Sequence, residues 1–388
     1  MKIISRADSD LYKFTMQQVV LHQFSSAIVE YEFRCRNKDV ALSPHVNEIR
    51  DAIERYCSLK FTRRELLWFS ERRYFKSDYI DFLRIFQSDS QYVNVGVDDN
   101  GFYCKFKGPW LYTIDLETPC LAIINEIYFD HNATEEDKKL DIARQRLQKK
   151  LELVMSSKIP ITFIDFGTRR RFSFNWHEEV ISTCKQYVSG HFIGTSNPYF
   201  AMNYDIIAAG THAHEYFEAC QAFVRLVDSQ KYALECWAKE YRGDLGIALS
   251  DTYGMKAFLK DFDLYFSKLF DGARHDSGDP KEWVDSLINH YKKFQIEPMT
   301  KSAVFSDGLN FELAKELAEY CHNRIKYSFG IGTNLTNDVC KTLKPLNIVI
   351  KMVRCNGQHV AKVSNAPGKT ICLDQSQLDY IMKVFNIK

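Results

Sequence analysis

The most chemically loaded stretch of the chain is Arg274-His275-Asp276-Ser277-Gly278-Asp279-Pro280, which packs a guanidinium, an imidazole, a hydroxyl and two carboxylates into seven residues. Its position, between apolar chain and the helix-like run 281–293, is where α/β enzymes place chemistry, because strand ends are rigid and the loops after them expose polar groups. The same residues also read as a plain turn, with Asp279 capping a helix that Pro280 opens. Six further junctions repeat the design. Short apolar runs lead into Thr168-Arg169-Arg170-Arg171, Thr195-Ser196-Asn197, Thr211-His212-Ala213-His214-Glu215, Ser250-Asp251, Ser306-Asp307-Gly308 and Gly332-Thr333-Asn334.

Together these ends offer cations (Arg169, Arg170, Arg171, Arg274), anions (Asp251, Asp276, Asp279, Asp307) and the hydroxyl of Ser196. Guanidinium groups bond phosphates and carboxylates in a bidentate way. Glycine-bearing turns on late barrel junctions present backbone N–H groups to phosphate. Carboxylates beside them suit ribose hydroxyls or a magnesium ion carried on a pyrophosphate. The set fits a phosphorylated sugar with a charged leaving group. His214 has three readings: a filler or cap neighbour, a metal ligand with His212 and Glu215, or a nucleophile for a phosphoryl group oriented by a carboxylate. Gly368-Lys369-Thr370 resembles the end of a phosphate-binding loop, but position 363 is valine where the motif requires glycine.

Strand and helix patterns alternating at this spacing require a parallel sheet with crossover helices. Seven such units with polar C-terminal ends predict an α/β fold, an irregular (β/α) barrel spanning 131–346 whose top face is one pocket. An open doubly wound sheet is the rival, disfavoured because no Gly-x-Gly-x-x-Gly junction is present. Residues 1–130 read as a smaller α/β domain. It has helices near 9–24, 46–57, 63–71 and 78–86, and strands at 27–36, 93–97, 102–106 and 111–114. Thr134-Glu135-Glu136-Asp137 reads as a capping box opening a helix to about 155. The tail, 347–388, includes strand-like runs at 347–353 and 359–363 and is expected to return to the first domain.

Composition bounds the rest. Lys+Arg 51 against Asp+Glu 50 leaves a net charge of +1, which argues against a partner recognised by bulk charge, nucleic acid above all. Charged residues interrupt every apolar run short of a bilayer span, and the first residues, Met1 to Asp8, have no apolar h-region, so export is not expected. Eleven cysteines, scattered and without a Cys-x-x-Cys pair, suit a reducing compartment, so a cytoplasmic location is expected.

With Asp10-Leu11-Tyr12-Lys13, Asp165-Phe166-Gly167-Thr168-Arg169-Arg170, Gly194-Thr195-Ser196-Asn197, Ala213-His214-Glu215, Arg274 to Pro280, Phe305-Ser306-Asp307-Gly308 and Phe329-Gly330-Ile331-Gly332-Thr333 in one order, the chain closely resembles the nicotinate phosphoribosyltransferase family. The resemblance implies transfer of phosphoribose from phosphoribosyl pyrophosphate to nicotinate in NAD salvage. It implies a homodimer with shared active sites, Mg2+ held mainly through the substrate pyrophosphate, and ATP as co-substrate through a phosphohistidine. By the same resemblance His214 is the phosphorylated residue. Phe166 and a partner subunit's Tyr12 sandwich the pyridine, and Arg169 and Arg274 lie near base and donor. Asp276, with Asp251 nearby, orients ribose and magnesium. Gly308 and Gly332, with Thr333, cradle the 5′-phosphate. Nicotinamide-using relatives carry a carboxylate where this chain has Ser196, so Ser196 favours the acid. The alternatives are a nicotinamide or quinolinate phosphoribosyltransferase, or a catalytically silent phosphate-binding barrel.

Overall fold

A computed structural model describes residues 3–363, 370 and 372–387. Two sheets organise them. The first contains β1 (Ile28–Cys35), β2 (Val93–Asp98) and β3 (Gly101–Pro109) and is antiparallel. The second is parallel and contains β4 (Phe163–Asp165), β5 (Phe192–Thr195) and β6 (Ile207–Ala208). After the short β7 (Arg242–Leu245) it continues with β8 (Ile247–Leu249), β9 (Gly272–His275), β10 (Ser302–Phe305) and β11 (Lys326–Ile331). The chain then returns to the first sheet as β12 (Ile348–Cys355) and β13 (Gln358–His359).

The parallel strands run in the order β6-β5-β4-β11-β10-β9-β8, a curled sheet. At its open seam the Thr211 hydroxyl donates to the carbonyl of Ile247 at 2.9 Å, joining the end of β6 to the start of β8. Parallel strands put every C-terminal end on the same side, so the polar junctions face one rim. Backbone bonds past the strand ends hold the rim in register: Phe166 N to Ile331 O (2.9 Å), Ser196 N to Asp165 O (2.8 Å) and Ser306 N to His275 O (3.1 Å).

Helices Leu11–Gln23 and Glu117–Asn132 lie in the interior. The first is buried from Leu11 through Val20 and the second from Glu117 through Phe129, apolar and polar residues alike. A helix enclosed on all sides has no polar face to give to water. Its polar groups are therefore paired, and most of that pairing serves the rim. A continuous core joins the modules, with Phe24 packing on Trp110 and on Tyr216.

Four local expectations change. Residues 111–113 fall in a short helix, Trp110–Thr113, with Ile114 as its C-cap, because the chain turns inward at Pro109 and Trp110 N bonds Ala27 O. The run after Thr134 forms two helices, Glu135–Lys138 and Asp141–Ser156, broken at Leu140 with φ 66°; the capping box, with Asp137, is present. In 359–363 only His359 belongs to a strand. Beyond it the helix Gln375–Phe385 docks beside the barrel, its Phe385 ring stacked on Tyr253 at 3.7 Å. Gly368 and Lys369 lie outside the described residues.

Candidate active site

His214 begins the helix His214–Cys220 after β6, and its ring reaches two other strand ends. Nε2 donates to Asp251 Oδ1 at 2.7 Å, while Nδ1 lies 3.7 Å from Asp276 Oδ2. The Asp251 carboxylate is saturated: its other oxygen accepts from Ser277 Oγ at 2.6 Å and from Lys362 Nζ. Burial, then the nearby Lys362 charge, pushes the His214 imidazole below its ordinary value against the pull of Asp251. Burial alone would raise Asp251, but His214 and Lys362 hold it well below the usual carboxylate range. One imidazole nitrogen is therefore tied to Asp251, and the other lies on the Asp276 side of a side chain that is 19% exposed.

Asp276 accepts from Ser306 Oγ at 3.0 Å and keeps a side chain 31% exposed. His214, Asp251 and Asp276 bring one ligand atom each to within 4.8 Å of one another, a grouping able to hold a cation. Asp251 is already committed to three donors, so Asp276 is the carboxylate left to face a hard ion. One oxygen ligand suits Mg2+ that keeps its remaining positions for water and phosphate oxygens.

Beside this lies a cationic corner. Arg169, on the turn Thr168–Arg170 after β4, has 40% of its side chain exposed, with Nε 3.7 Å from Asp10 and Nη1 3.7 Å from Glu117. Those carboxylates are fixed from behind. Lys13, fully buried, bridges Glu117 at 2.5 Å and Glu215, and Tyr31 Oη donates to Glu215 at 2.6 Å. Burial opposes the Lys13 charge, but Glu117 and Glu215 outweigh it. Arg170 Nε donates to Ile348 O at 3.1 Å; burial, then Arg169 and Arg36, lowers this guanidinium to about 10. Buried Nε of Arg274, on β9, has no hydrogen-bond partner.

The Phe166 ring lies across β11 at Gly330. A Cβ built on Gly330 would sit 2.3 Å from Phe166 Cδ2, so only glycine admits the ring there. Gly332 follows, its would-be Cβ 3.2 Å from Phe166 O, and Thr333 opens the short helix after it. Gly308, with φ +61°, forms the turn after β10.

Several expected rim residues serve elsewhere. Ser196 is 3% exposed, and its hydroxyl donates to Asp10 at 2.6 Å, so it orients that carboxylate and has no open face toward a base. Within one chain Tyr12 is 8% exposed and lies beside its own Arg169, and the resemblance's assignment of a partner subunit's Tyr12 to the base stands as an expectation. Leu11 N bonds Ser196 O at 2.7 Å, and Asp8 pairs with Arg171, clamping the N-terminal segment to this barrel. Arg171 is accordingly a fully buried structural cation. Asp279 is a helix cap, accepting from Lys281 N and Glu282 N. His275 packs among Trp283 and Phe305. His212 is fully buried against Tyr216, Phe217 and Trp237, neither ring nitrogen has a hydrogen-bond partner, and burial drives it well below the ordinary histidine value. It is a core residue, and the metal-ligand reading of the pair His212 and His214 ends there.

Sequence reasoning missed Lys362, Lys351 and Arg36, the cations that the antiparallel sheet and tail bring toward the rim. One signal was available: Lys362 is a lone charge in the apolar run Val360-Ala361-Lys362-Val363. A cavity of about 630 Å3 lies elsewhere, bounded by Arg72, Tyr74, Lys185 and Ile207, and includes none of the rim residues.

A curled parallel barrel carrying a histidine–carboxylate pair, a cationic corner and glycine turns on its C-terminal rim defines an α/β-barrel enzyme acting on anionic substrates. Residues 161–388 match the model of the nicotinate phosphoribosyltransferase (NAPRTase) family, and 7–125 that family's N-terminal domain. The chain belongs to this family. It is 52% identical to the nicotinate phosphoribosyltransferase of Bordetella petrii over 392 residues, covering 100% of this chain and 99% of that one. It is 51% identical to that of Burkholderia ambifaria, covering 100% and 98%. Among solved structures, the nicotinate phosphoribosyltransferase from Vibrio cholerae superposes with a TM-score of 0.95 at 36% identity, covering 100% of this chain and 95% of that one. That from Porphyromonas gingivalis gives 0.92 at 33%, covering 99% and 100%. No described helix is long and apolar enough to cross a membrane.

Proposed function

We propose that the protein is a nicotinate phosphoribosyltransferase that joins nicotinate to the phosphoribose of 5-phosphoribosyl 1-pyrophosphate, releasing pyrophosphate, with ATP hydrolysis coupled through His214. The observation that carries the coupling is the asymmetry of the His214 ring. Asp251 takes the proton-bearing Nε2, so the lone pair is on Nδ1, which faces the partly open side beside Asp276. Nδ1 attacks the γ-phosphorus of ATP, the bond to the β–γ bridging oxygen breaks, and ADP leaves. The new phosphate adds negative charge next to the donor site. It is later hydrolysed, which returns the imidazole.

In the transfer step the ribose C1 gains positive character as pyrophosphate departs, and the nicotinate ring nitrogen bonds to it. Arg274, whose Nε lacks a partner, and the glycine turns at Gly308 and Gly332 with Thr333 would hold the phosphates. Asp276 would orient the ribose, and it is the residue to meet Mg2+, which supplies charge neutralisation to the leaving pyrophosphate when bound. Phe166 and Tyr12 would hold the pyridine at reacting distance. The nicotinate carboxylate is assigned to Arg169, the exposed guanidinium, because the Ser196 hydroxyl is spent on Asp10. A homodimer and a cytoplasmic setting accord with the family reading.

Turnover of labelled phosphoribosyl pyrophosphate with either base tests the assignment. Nicotinate is expected to be strongly preferred; equal use of nicotinamide would overturn it, and use of quinolinate would point to a different transferase. A companion test concerns the ring seat. Gly330→Ala forces the Phe166 ring to move, so KM for nicotinate is expected to rise roughly tenfold, about 1.4 kcal/mol, with KM for ATP nearly unchanged. An unaltered nicotinate KM would remove Phe166 from the base site.

A further inference from the structure

We infer that Lys362 is a positioning residue for phosphorylation: its ammonium fixes the Asp251 carboxylate, which in turn holds the His214 ring with Nδ1 directed at the incoming phosphoryl group. This rests on the phosphohistidine reading above and extends it to a residue outside the barrel strands.

The geometry is a three-part chain. Lys362, 4% exposed, donates through Nζ to Asp251 Oδ2, and Asp251 Oδ1 accepts from His214 Nε2 at 2.7 Å. A carboxylate held on one oxygen only can pivot about its Cβ–Cγ bond and carry the imidazole with it. A cation on the second oxygen, with Ser277 Oγ at 2.6 Å, removes that freedom.

The lysine is itself locked at three consecutive residues. Gln221 holds Ala361 through both backbone groups, accepting from its N–H at 3.1 Å and donating to its carbonyl at 2.7 Å. The Glu218 carboxylate faces the backbone of Lys362. Val363 N donates to Thr252 O at 3.0 Å, next to Asp251 itself. Glu218 and Gln221 continue from the helix that His214 opens, so the segment bearing the lysine and the residue it serves are built on one support. A solvent-facing lysine needs no such fixture, and burying one costs free energy unless it is paired and its position counts.

The test uses the full chain, ATP and Mg2+, with His214 phosphate measured by mass spectrometry and phosphorus NMR. Lys362→Met is expected to slow phosphohistidine formation and lower kcat by 10- to 100-fold while KM for nicotinate stays within twofold. Lys362→Arg is expected to recover part of the rate. A role confined to holding the fold would lower thermal stability without separating kcat from KM. A folded Lys362→Met that labels as fast as the parent overturns the inference. Should that variant not fold, Ser277→Ala decides, since it removes the other donor from the same oxygen at a half-buried position. It is expected to slow labelling several-fold, and an unchanged rate there overturns the inference. A parent protein that takes no phosphate on His214 overturns the proposed function instead, which keeps the two failures apart.

Discussion

Replacing His214 by alanine is expected to remove the ATP-derived phosphate from the protein completely and to cut the ATP-driven part of turnover on the order of a thousandfold. The argument is chemical. In the proposed mechanism the nucleophile is one nitrogen of one ring, and His212 and His275 are otherwise engaged. His212 is enclosed by Tyr216, Phe217 and Trp237, and His275 bonds Gly278 O at 3.1 Å among aromatic rings. Slow transfer of phosphoribose without ATP is expected to survive, because the base corner at Arg169 and the donor side at Arg274 do not depend on the imidazole. The fold is expected to tolerate the change, since the His214 side chain is 19% exposed and packs at the edge of the rim. Phosphate on the variant at any residue, with parental coupling of ATP hydrolysis to product, would contradict the assignment.

The second large effect is on stability and reaches the site through the fold. Asp8→Ala is expected to destabilise the protein by about 3–5 kcal/mol, because it strands a buried charge. Arg171 is 0% exposed, and Asp8 receives both of its terminal nitrogens, at 2.7 and 2.9 Å. Glu126 pairs with Nε at 2.7 Å and remains, but the guanidinium fork loses the partner that matches its geometry. Asp8 also accepts from Asn197 at 2.7 Å, so the cut releases the N-terminal segment from the β5 junction as well. Asp10 and Tyr12 ride on that segment. Urea denaturation should report the lost stability, and the same preparation should show a raised KM for nicotinate. Asp8→Asn, which keeps the shape and one acceptor, is expected to lose less. A folded Asp8→Ala with parental stability would show that Arg171 is solvated or paired by another route.

Much of this was legible beforehand because it depends on short-range pattern. Apolar runs ending in hydroxyls, carboxylates, arginines and glycines announced parallel strands with a polar rim. The strands appeared where those runs stand, with β9 ending at His275 and Asp276 immediately beyond it. Gly330 and Phe166 also appeared as parts of their motifs. Why they belong together became visible only when β4 and β11 paired, Ile164 opposite Gly330.

Errors arose where a partner decided the outcome. Residues 111–114 have strand-forming composition, yet the segment coils into a helix because it must enter the core beneath Ala27. In sequence, Ser196 reads as favouring an acidic base by not being a carboxylate; what the sequence did not show is that its proton goes to Asp10, 186 positions away in the chain. Arg171 and Arg169 are equivalent in a list of rim cations, but the former is sealed beside Asp8 and the latter opens to the site with 40% exposure.

The sequence by itself determined the family and the barrel class, because periodicity and motif residues are local properties of the chain, while the role of His214 as phosphoryl acceptor came only as what the family resemblance implies. Tertiary structure alone decided which nitrogen of His214 is open, which arginine is free to meet an anion, and that a lysine near the C-terminus closes the Asp251 pair. Those depend on distances between groups far apart in the chain, from His214 and Asp251 at 37 positions to Lys362 and Asp251 at 111. Only the closed fold, with its burial and its competing partners, sets those distances.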